Sequence, residues 1–278
     1  MTPAMRTTHA AARTRAVAGL TDVNTFVGGY AFRHVPHPDA ATLVRVLERE
    51  AVAAAWVGHL PSVFHRDPTP GNDELLAWTE PHAGVLFPIP VVRPDWPLWQ
   101  RTLTRARELG APAVRAYPPQ WGMAPGDRAM RALAGACGEA GVVLLLTTRL
   151  EDGRQRHWLD SAGDLTAAAV RDIVRAHARV QVLVTAAGRA MIEEVHWGLT
   201  AQERARLWWD ISWIWGPPED DLAHLLRTLG ADRFVYGSGW PLRLAQTPRA
   251  NLDLLPDALR KDALATARAV VAAARGAE

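Results

Sequence analysis

The chain is expected to fold as one (β/α)8 barrel of parallel strands. Three observations predict this. Eight short apolar runs alternate with amphipathic runs of helical period. Neither a repeat nor a linker interrupts them. A length of 278 residues also suits one such barrel better than one sandwich or bundle. An open doubly wound sheet is the competing architecture. No Gly-x-Gly-x-x-Gly opens the first helix, which counts against its dinucleotide-binding form.

The strands are predicted, in order, at Leu20–Phe26, Ala53–His59, Gly84–Pro90, Ala113–Tyr117, Val142–Thr148, Val180–Ala186, Leu207–Ile211 and Arg233–Gly237. The helices between them are predicted near Asp39–Glu50, Asn72–Glu80, Trp96–Leu109, Asp127–Ala140, Leu165–Ala178, Arg189–His196 and Glu219–Leu229, with a last helical region over Arg249–Ala274. Punctuation supports these bounds. Thr200-Ala-Gln-Glu203 has the pattern of a capping box. Gly110, Gly141 and Gly230 each follow a helical run, where glycine relieves left-handed strain. Pro217-Pro218 stands just before a helix, where a first-turn proline is tolerated.

Composition narrows the partners. Hydrophobic residues make up 49%, enough for a large core, and the formal net charge is +2. No Lys/Arg cluster is interleaved with aromatics, so nucleic acid is not an expected partner. No run has the length of a membrane span. The lone Cys137 rules out an intrachain disulfide framework, fits a cytoplasmic location and reads as a small packed residue. Residues 1–18 are Arg-rich and acid-free without an apolar core; they read as a flexible tail rather than a secretory signal, with Met5 as an alternative start. The barrel domain then covers 19–278. Trp208, Trp209, Trp213 and Trp215 crowd the seventh unit and suggest core or interface.

One segment carries a resemblance. A helix ending in Leu229-Gly-Ala-Asp-Arg233 leads into Phe234-Val-Tyr-Gly-Ser-Gly-Trp-Pro241. This is similar to the last strand of the amidohydrolase-related family of TIM barrels. There the helix ends Leu-Gly-x-Asp-Arg and the strand reads Phe-Gly-Ser-Asp-x-Pro. The resemblance covers roughly residues 20 to 245. It implies the barrel fold and, in most members, a divalent metal held at the C-terminal strand ends.

The positions that the resemblance assigns to the metal hold other residues. The first strand of the family reads Asp-x-His-x-His; here it is Asp22-Val-Asn24-Thr-Phe26. The fifth strand ends in Thr147, Thr148 and Arg149 where a His is expected. Ala186 replaces the His of the sixth strand, and Gly239 replaces the Asp of the eighth. Imidazole, carboxylate and thiolate are the donors a transition metal wants. No metal centre of the family type, and no cofactor, is therefore expected. His34 and His37 are separated by two residues in a Pro-containing loop and read as structural.

Polar residues at the strand ends remain as candidates. Arg115 and Tyr117 end the fourth strand, Arg149 follows the fifth, Arg189 follows the sixth, and Ser238, Trp240 and Arg243 follow the eighth. Together with Asn24 they are candidates for holding a small anion, since guanidinium groups pair with carboxylates. The family includes a metal-independent lactonase of pyrone dicarboxylate that holds its substrate with arginines, although it keeps first-strand histidines absent here. His59 is the candidate general base. Ser238 lacks an assignable base and reads more readily as a turn. Two functions follow. The favoured one is a pseudo-hydrolase, a structural or regulatory subunit forming a homo-oligomer or pairing with a metal-bearing paralogue. The alternative is a metal-independent hydrolase, lactonase or decarboxylase for a small carboxylate.

Overall fold

The computed structural model describes residues 19–261 and 264–276. The expected tail over 1–18, with Met5, lies outside the described residues. Eight parallel strands appear: β1 Thr21–Val27, β2 Ala54–His59, β3 Leu86–Pro88, β4 Ala113–Ala116, β5 Val143–Thr147, β6 Val182–Thr185, β7 Leu207–Asp210 and β8 Phe234–Val235. They form one run of β1-β2-β3 and another of β4 to β8 in sequential order. Two seams close them into a barrel. At the first, Arg115 N donates to Pro90 O at 2.9 Å and Val92 N donates to Arg115 O at 2.9 Å. At the second, Val23 N reaches Tyr236 O at 3.0 Å, Phe26 N reaches Trp240 O at 2.9 Å and Gly239 N reaches Asn24 O at 2.8 Å.

The third and eighth strands are shorter than the sequence suggests. Pro88 and Pro90 have no N–H to give a ladder, which limits β3 to three residues. Beyond Val235 the eighth strand bonds to β1 alone, through Tyr236 and Trp240.

The helices are α1 Ala40–Arg49, α2 Thr69–Thr79, α3 Trp99–Glu108, α4 Arg128–Ala140, α5 Ala167–Ala176, α6 Arg189–Trp197, α7 Ala201–Arg204, α8 Asp221–Leu229, α9 Gln246–Asp253, α10 Asp257–Lys261 and α11 Ala267–Arg275. Side-chain caps set several of their starts. Asp39 accepts from Thr42 N, Asp127 from Ala129 N, and Thr166 from Ala169 N. Thr200 and Glu203 form the expected capping box. The single helical region expected over Arg249–Ala274 is in fact three helices. Pro256 cannot continue α9, and Thr266 caps α11 afresh.

Period-two alternation decides what enters the barrel. Val143 and Leu145 of β5 point inward and pack with Val23, Trp56, Ala113, Leu183 and Trp208. Leu144 and Leu146 point outward, under the helices. Val270 and Ala274 of α11 join the inner cluster and close the end where the strands start. Burying each such aliphatic side chain contributes about 1.5–3 kcal/mol. The same alternation, one step further along each strand, turns the interior polar. Arg115, Thr147, Thr185 and Asp210 form the next layer toward the C-terminal end, all fully buried.

Candidate functional site at the barrel mouth

Asn24 and Arg115 join the strands of this polar layer. A register shift in β1 between Asp22 and Thr25 accompanies the inward turn of Asn24. Its amide donates to Asp210 Oδ2 at 2.7 Å and to Ser212 Oγ at 3.3 Å. Its Oδ1 accepts Nη2 of Arg115. Arg115 also donates from Nε to Thr147 Oγ1 at 3.0 Å and from Nη2 to Thr185 Oγ1 at 3.2 Å. The Phe26 ring lies 4.2 Å from its Cζ. Asp210 accepts the backbone N–H of Ala186 at 2.9 Å, so one carboxylate ties together β1, β6 and β7. Glycines at Gly58 and Gly237 permit this packing. A Cβ at Gly58 would lie 3.1 Å from Arg115 Nη1, and one at Gly237 would lie 2.6 Å from Asp210 Oδ2.

Burial sets the electrostatics. Asp22 is raised to about 7, first by burial and also by the Asp210 charge, against hydrogen bonds from Ser238 and Asn24. Burial likewise raises Asp210, opposed by Ser212, Ala186, Asn24 and Arg115. Burial lowers Arg115, while Tyr117, Asp210 and Asp22 work to raise it.

Above this layer lies a narrow opening lined by Asn24, Phe26, Thr147, Arg149, Ala186, Trp213, Gly239 and Arg243, enclosing about 10 Å³. That is room for about one water. Arg149 and Arg243 pack on the Trp213 ring, with Cζ at 5.2 and 4.2 Å from its centroid. Arg149 also pairs with Asp164 at 2.9 Å. The Nε atoms of both arginines are buried without a hydrogen-bond partner. A larger hollow of about 350 Å³ lies outside the barrel wall, between α2 and α3, away from these groups.

The sequence candidates separate into two sets. Asn24, Arg149, Ala186 and Gly239 meet at one rim, as parallel closure requires. Arg115 and Tyr117 are not among the residues lining the opening; both are fully buried, and Tyr117 packs with Phe26, Tyr30 and Leu150. Burial raises the Tyr117 hydroxyl to about 12, and this hydroxyl has no hydrogen-bond partner. Arg189 is held on α6 by Glu193 and Asp221, each at 3.1 Å, and does not line the opening. Ser238 caps its own loop, accepting Trp240 N at 3.1 Å, while Trp240 O serves the β8–β1 seam.

His59 is directed toward α2. Its Nδ1 meets Ser62 Oγ at 2.7 Å, and its ring packs on Trp78 at 5.0 Å. Nε2 lies 3.2 Å from Glu74 Oε2. Burial lowers the imidazole to about 4, with the Glu74 charge opposing, so it is neutral near pH 7. Cys137 is buried, and burial pushes its thiol up. Of the four clustered tryptophans, Trp208, Trp209 and Trp213 are buried within the chain and Trp215 is exposed.

A sequence model of the amidohydrolase family matches residues 61–274. The chain belongs to the amidohydrolase family. Solved structures of this fold superpose on it. A putative amidohydrolase from Staphylococcus aureus does so with TM-score 0.65, at 10% identity over 91% of this chain and 99% of that one. The 2,6-dihydroxybenzoate decarboxylase from Rhizobium gives 0.62, at 12% identity over 91% and 98%. The 5-carboxyvanillate decarboxylase from Sphingomonas paucimobilis gives 0.62, at 13% identity over 91% and 98%. At such identities the likeness establishes the fold. No curated protein sequence matches the chain. Metal is common in the amidohydrolase-related family. Here, among the described residues, no group of three or more His, Cys, Asp or Glu side chains is arranged to hold a metal ion. Among the described residues no helix is long and apolar enough to cross a membrane.

Proposed function

We propose that this barrel acts on a small carboxylate without a resident metal, and that decarboxylation is its reaction class. The supporting observation is the pair Arg149 and Arg243, whose unpartnered Nε–H groups border one narrow opening. Guanidinium edges in a poorly solvated opening suit a carboxylate by charge-assisted hydrogen bonds. Two of the similarly folded proteins are named as decarboxylases of aromatic carboxylates, which lends weight to this class over hydrolysis or lactone opening. Decarboxylation also needs a proton for the carbon that loses CO2. A buried acid raised to about 7, such as Asp22, stays partly protonated at neutral pH and is a candidate source of that proton. Arg149, Arg243 and Trp213 must part for substrate to enter an opening of about 10 Å³.

A second reading rests on that same closure. So narrow a mouth fits a non-catalytic subunit, associated with copies of itself or with a metal-bearing relative. One experiment divides the two. Chelator-treated protein is incubated with small aliphatic and aromatic carboxylates, and CO2 release is measured beside Arg243→Ala. Turnover that survives the chelator and falls in Arg243→Ala supports the enzyme. Absence of turnover and of binding across the panel overturns it in favour of the subunit.

A further inference from the structure

Arg115 has the surroundings of a bound ion. Its guanidinium has no exposed surface and lies at the level of the strand ends. The groups that receive it come from three other strands: Asn24 Oδ1 from β1, Thr147 Oγ1 from β5 and Thr185 Oγ1 from β6. All three are neutral oxygens. The negative charge comes from Asp210, which holds Asn24 from behind, and from Asp22, whose field also acts on Arg115. Oxygens from three strands thus hold Nε and Nη2 of one buried cation, with carboxylates just outside the contacting atoms, while Nη1 has no hydrogen-bond partner and the Phe26 ring covers one side.

We infer that the Arg115 guanidinium is the resident cation of this barrel, filling the volume a divalent ion would need and repelling one by its charge. Two like charges in a desolvated cage repel strongly, and a guanidinium cannot shed its proton to make way. Its fork geometry also explains the neutral acceptors. Two of its nitrogens reach three strands at once, a span that a compact ion would need several carboxylates to match. The inference concerns what fills the cage and holds whether or not the mouth above turns over a carboxylate.

The cage has a consequence for variants. If the guanidinium is removed, Asn24 Oδ1, two hydroxyls and the Asp210 and Asp22 carboxylates face a cavity larger than one water. That is a hard, all-oxygen donor set. It suits Mn²⁺ or Mg²⁺ better than Zn²⁺, which prefers nitrogen and sulfur.

The test uses the full chain and Mn²⁺ as probe. Manganese bound per chain is counted by paramagnetic resonance, and melting is followed with and without the ion. Wild type and Arg115→Lys, which keep a cation in the cage, are expected to take up no Mn²⁺ and to melt at the same temperature either way. Arg115→Ala is expected to melt lower, to bind Mn²⁺ at least about ten-fold more tightly than wild type, and to melt higher in its presence. Arg115→Ala with Asp210→Asn should lose that binding. Arg115→Met, which keeps the hydrocarbon stem, replaces the alanine variant if the latter fails to fold. Stoichiometric Mn²⁺ in wild type overturns the inference. So does refusal of Mn²⁺ by folded Arg115→Ala or Arg115→Met, or failure of both to refold with Mn²⁺ while Arg115→Lys folds.

Discussion

The Asp22 carboxylate accepts the backbone N–H of Ser238 at 3.0 Å, across the seam where the eighth strand meets the first. The same oxygen accepts Asn24 N at 3.0 Å, so one buried acid pins both sides of the closure. Both bonds need only an acceptor, which a neutral side chain also supplies.

That geometry fixes a pH prediction. Asp22 titrates at about 7 in the folded chain against 3.8 as its ordinary value. The folded state therefore binds more protons between these values, and stability falls as pH rises from about 4 to 7. Asp22→Asn keeps an acceptor and cannot ionise. Its stability relative to wild type should increase across that window. Each tenfold change in proton affinity is worth about 1.4 kcal/mol, so a gain on the order of 4 kcal/mol is expected above pH 7. His59 changes stability in the opposite sense, since its folded value of about 4 removes stability as pH falls below 6.5. It does so equally in both proteins, so the difference between their denaturation curves isolates Asp22. A difference independent of pH would contradict the assignment.

Gly237 sits where a side chain has no room. A Cβ there would come within 2.6 Å of Asp210 Oδ2 and 2.8 Å of Asp210 Cβ. Overpacking of a buried site costs about 1–3 kcal/mol, and here it would also displace the carboxylate that holds Asn24 and Ala186. Gly237→Ala is expected to lose at least about 2 kcal/mol by urea denaturation, whereas Gly135→Ala, with open space around it, should lose little.

Strand order and the amidohydrolase kinship were legible because both are written locally, in apolar runs and in the Phe234–Pro241 segment. The same matching of strand ends pointed to Asn24, Tyr117, Thr148, Ala186 and Gly239 at one rim; Asn24, Ala186 and Gly239 line the opening, and Tyr117 and Thr148 do not. Side-chain direction was harder to see. Ala113, Arg115 and Tyr117 alternate on one strand, as do Val143, Leu145 and Thr147 on another. Extending the inward parity puts Arg115 beneath the mouth, beside Thr147, rather than in it. Thr185 carries the same signal in the run Val182–Thr185, and the same parity would have found it. Arg189 departs from expectation for a different reason. Its position after the sixth strand starts a helix, where Glu193 and Asp221 compete for it. Nothing local in the sequence announces a partner 32 residues away. Of the four clustered tryptophans, read as core or interface, strand parity and the loop after β7 place three in the core of the chain.

Ala186 adopts φ 60°, a left-handed conformation that a side chain disfavours. Its N–H must reach Asp210 Oδ1, and that bond holds the chain in this conformation. The strain is worth about 1–2 kcal/mol, while glycine loses about 0.4–1 kcal/mol more through unfolded-state entropy. Ala186→Gly should therefore raise stability by up to about 1 kcal/mol. A drop of more than about 1 kcal/mol on thermal melting would show that the Ala186 methyl packs usefully at the rim.

The last prediction concerns Arg243, which packs on Trp213 at 4.2 Å and Trp215 at 5.8 Å and whose Nε has no partner. If the mouth holds a carboxylate, this guanidinium is available to it, whereas Arg149 is already shared with Asp164. A charge-assisted hydrogen bond contributes about 1.5–3 kcal/mol, so Arg243→Ala should weaken carboxylate binding by roughly 10- to 150-fold. Starting affinity is expected only in the millimolar to micromolar range, because parting Arg149, Arg243 and Trp213 costs ordering free energy. Arg189→Ala is the control. Its guanidinium is engaged with Glu193 and Asp221 outside the opening, so binding should be unchanged there. Calorimetry at low and high salt measures both variants. Arg243→Lys separates charge from shape: it keeps the cation but loses the fork, so only part of the affinity should return. Equal binding by wild type and Arg243→Ala would remove the carboxylate from the mouth, and the packing of Arg243 on two tryptophans would then be structural alone.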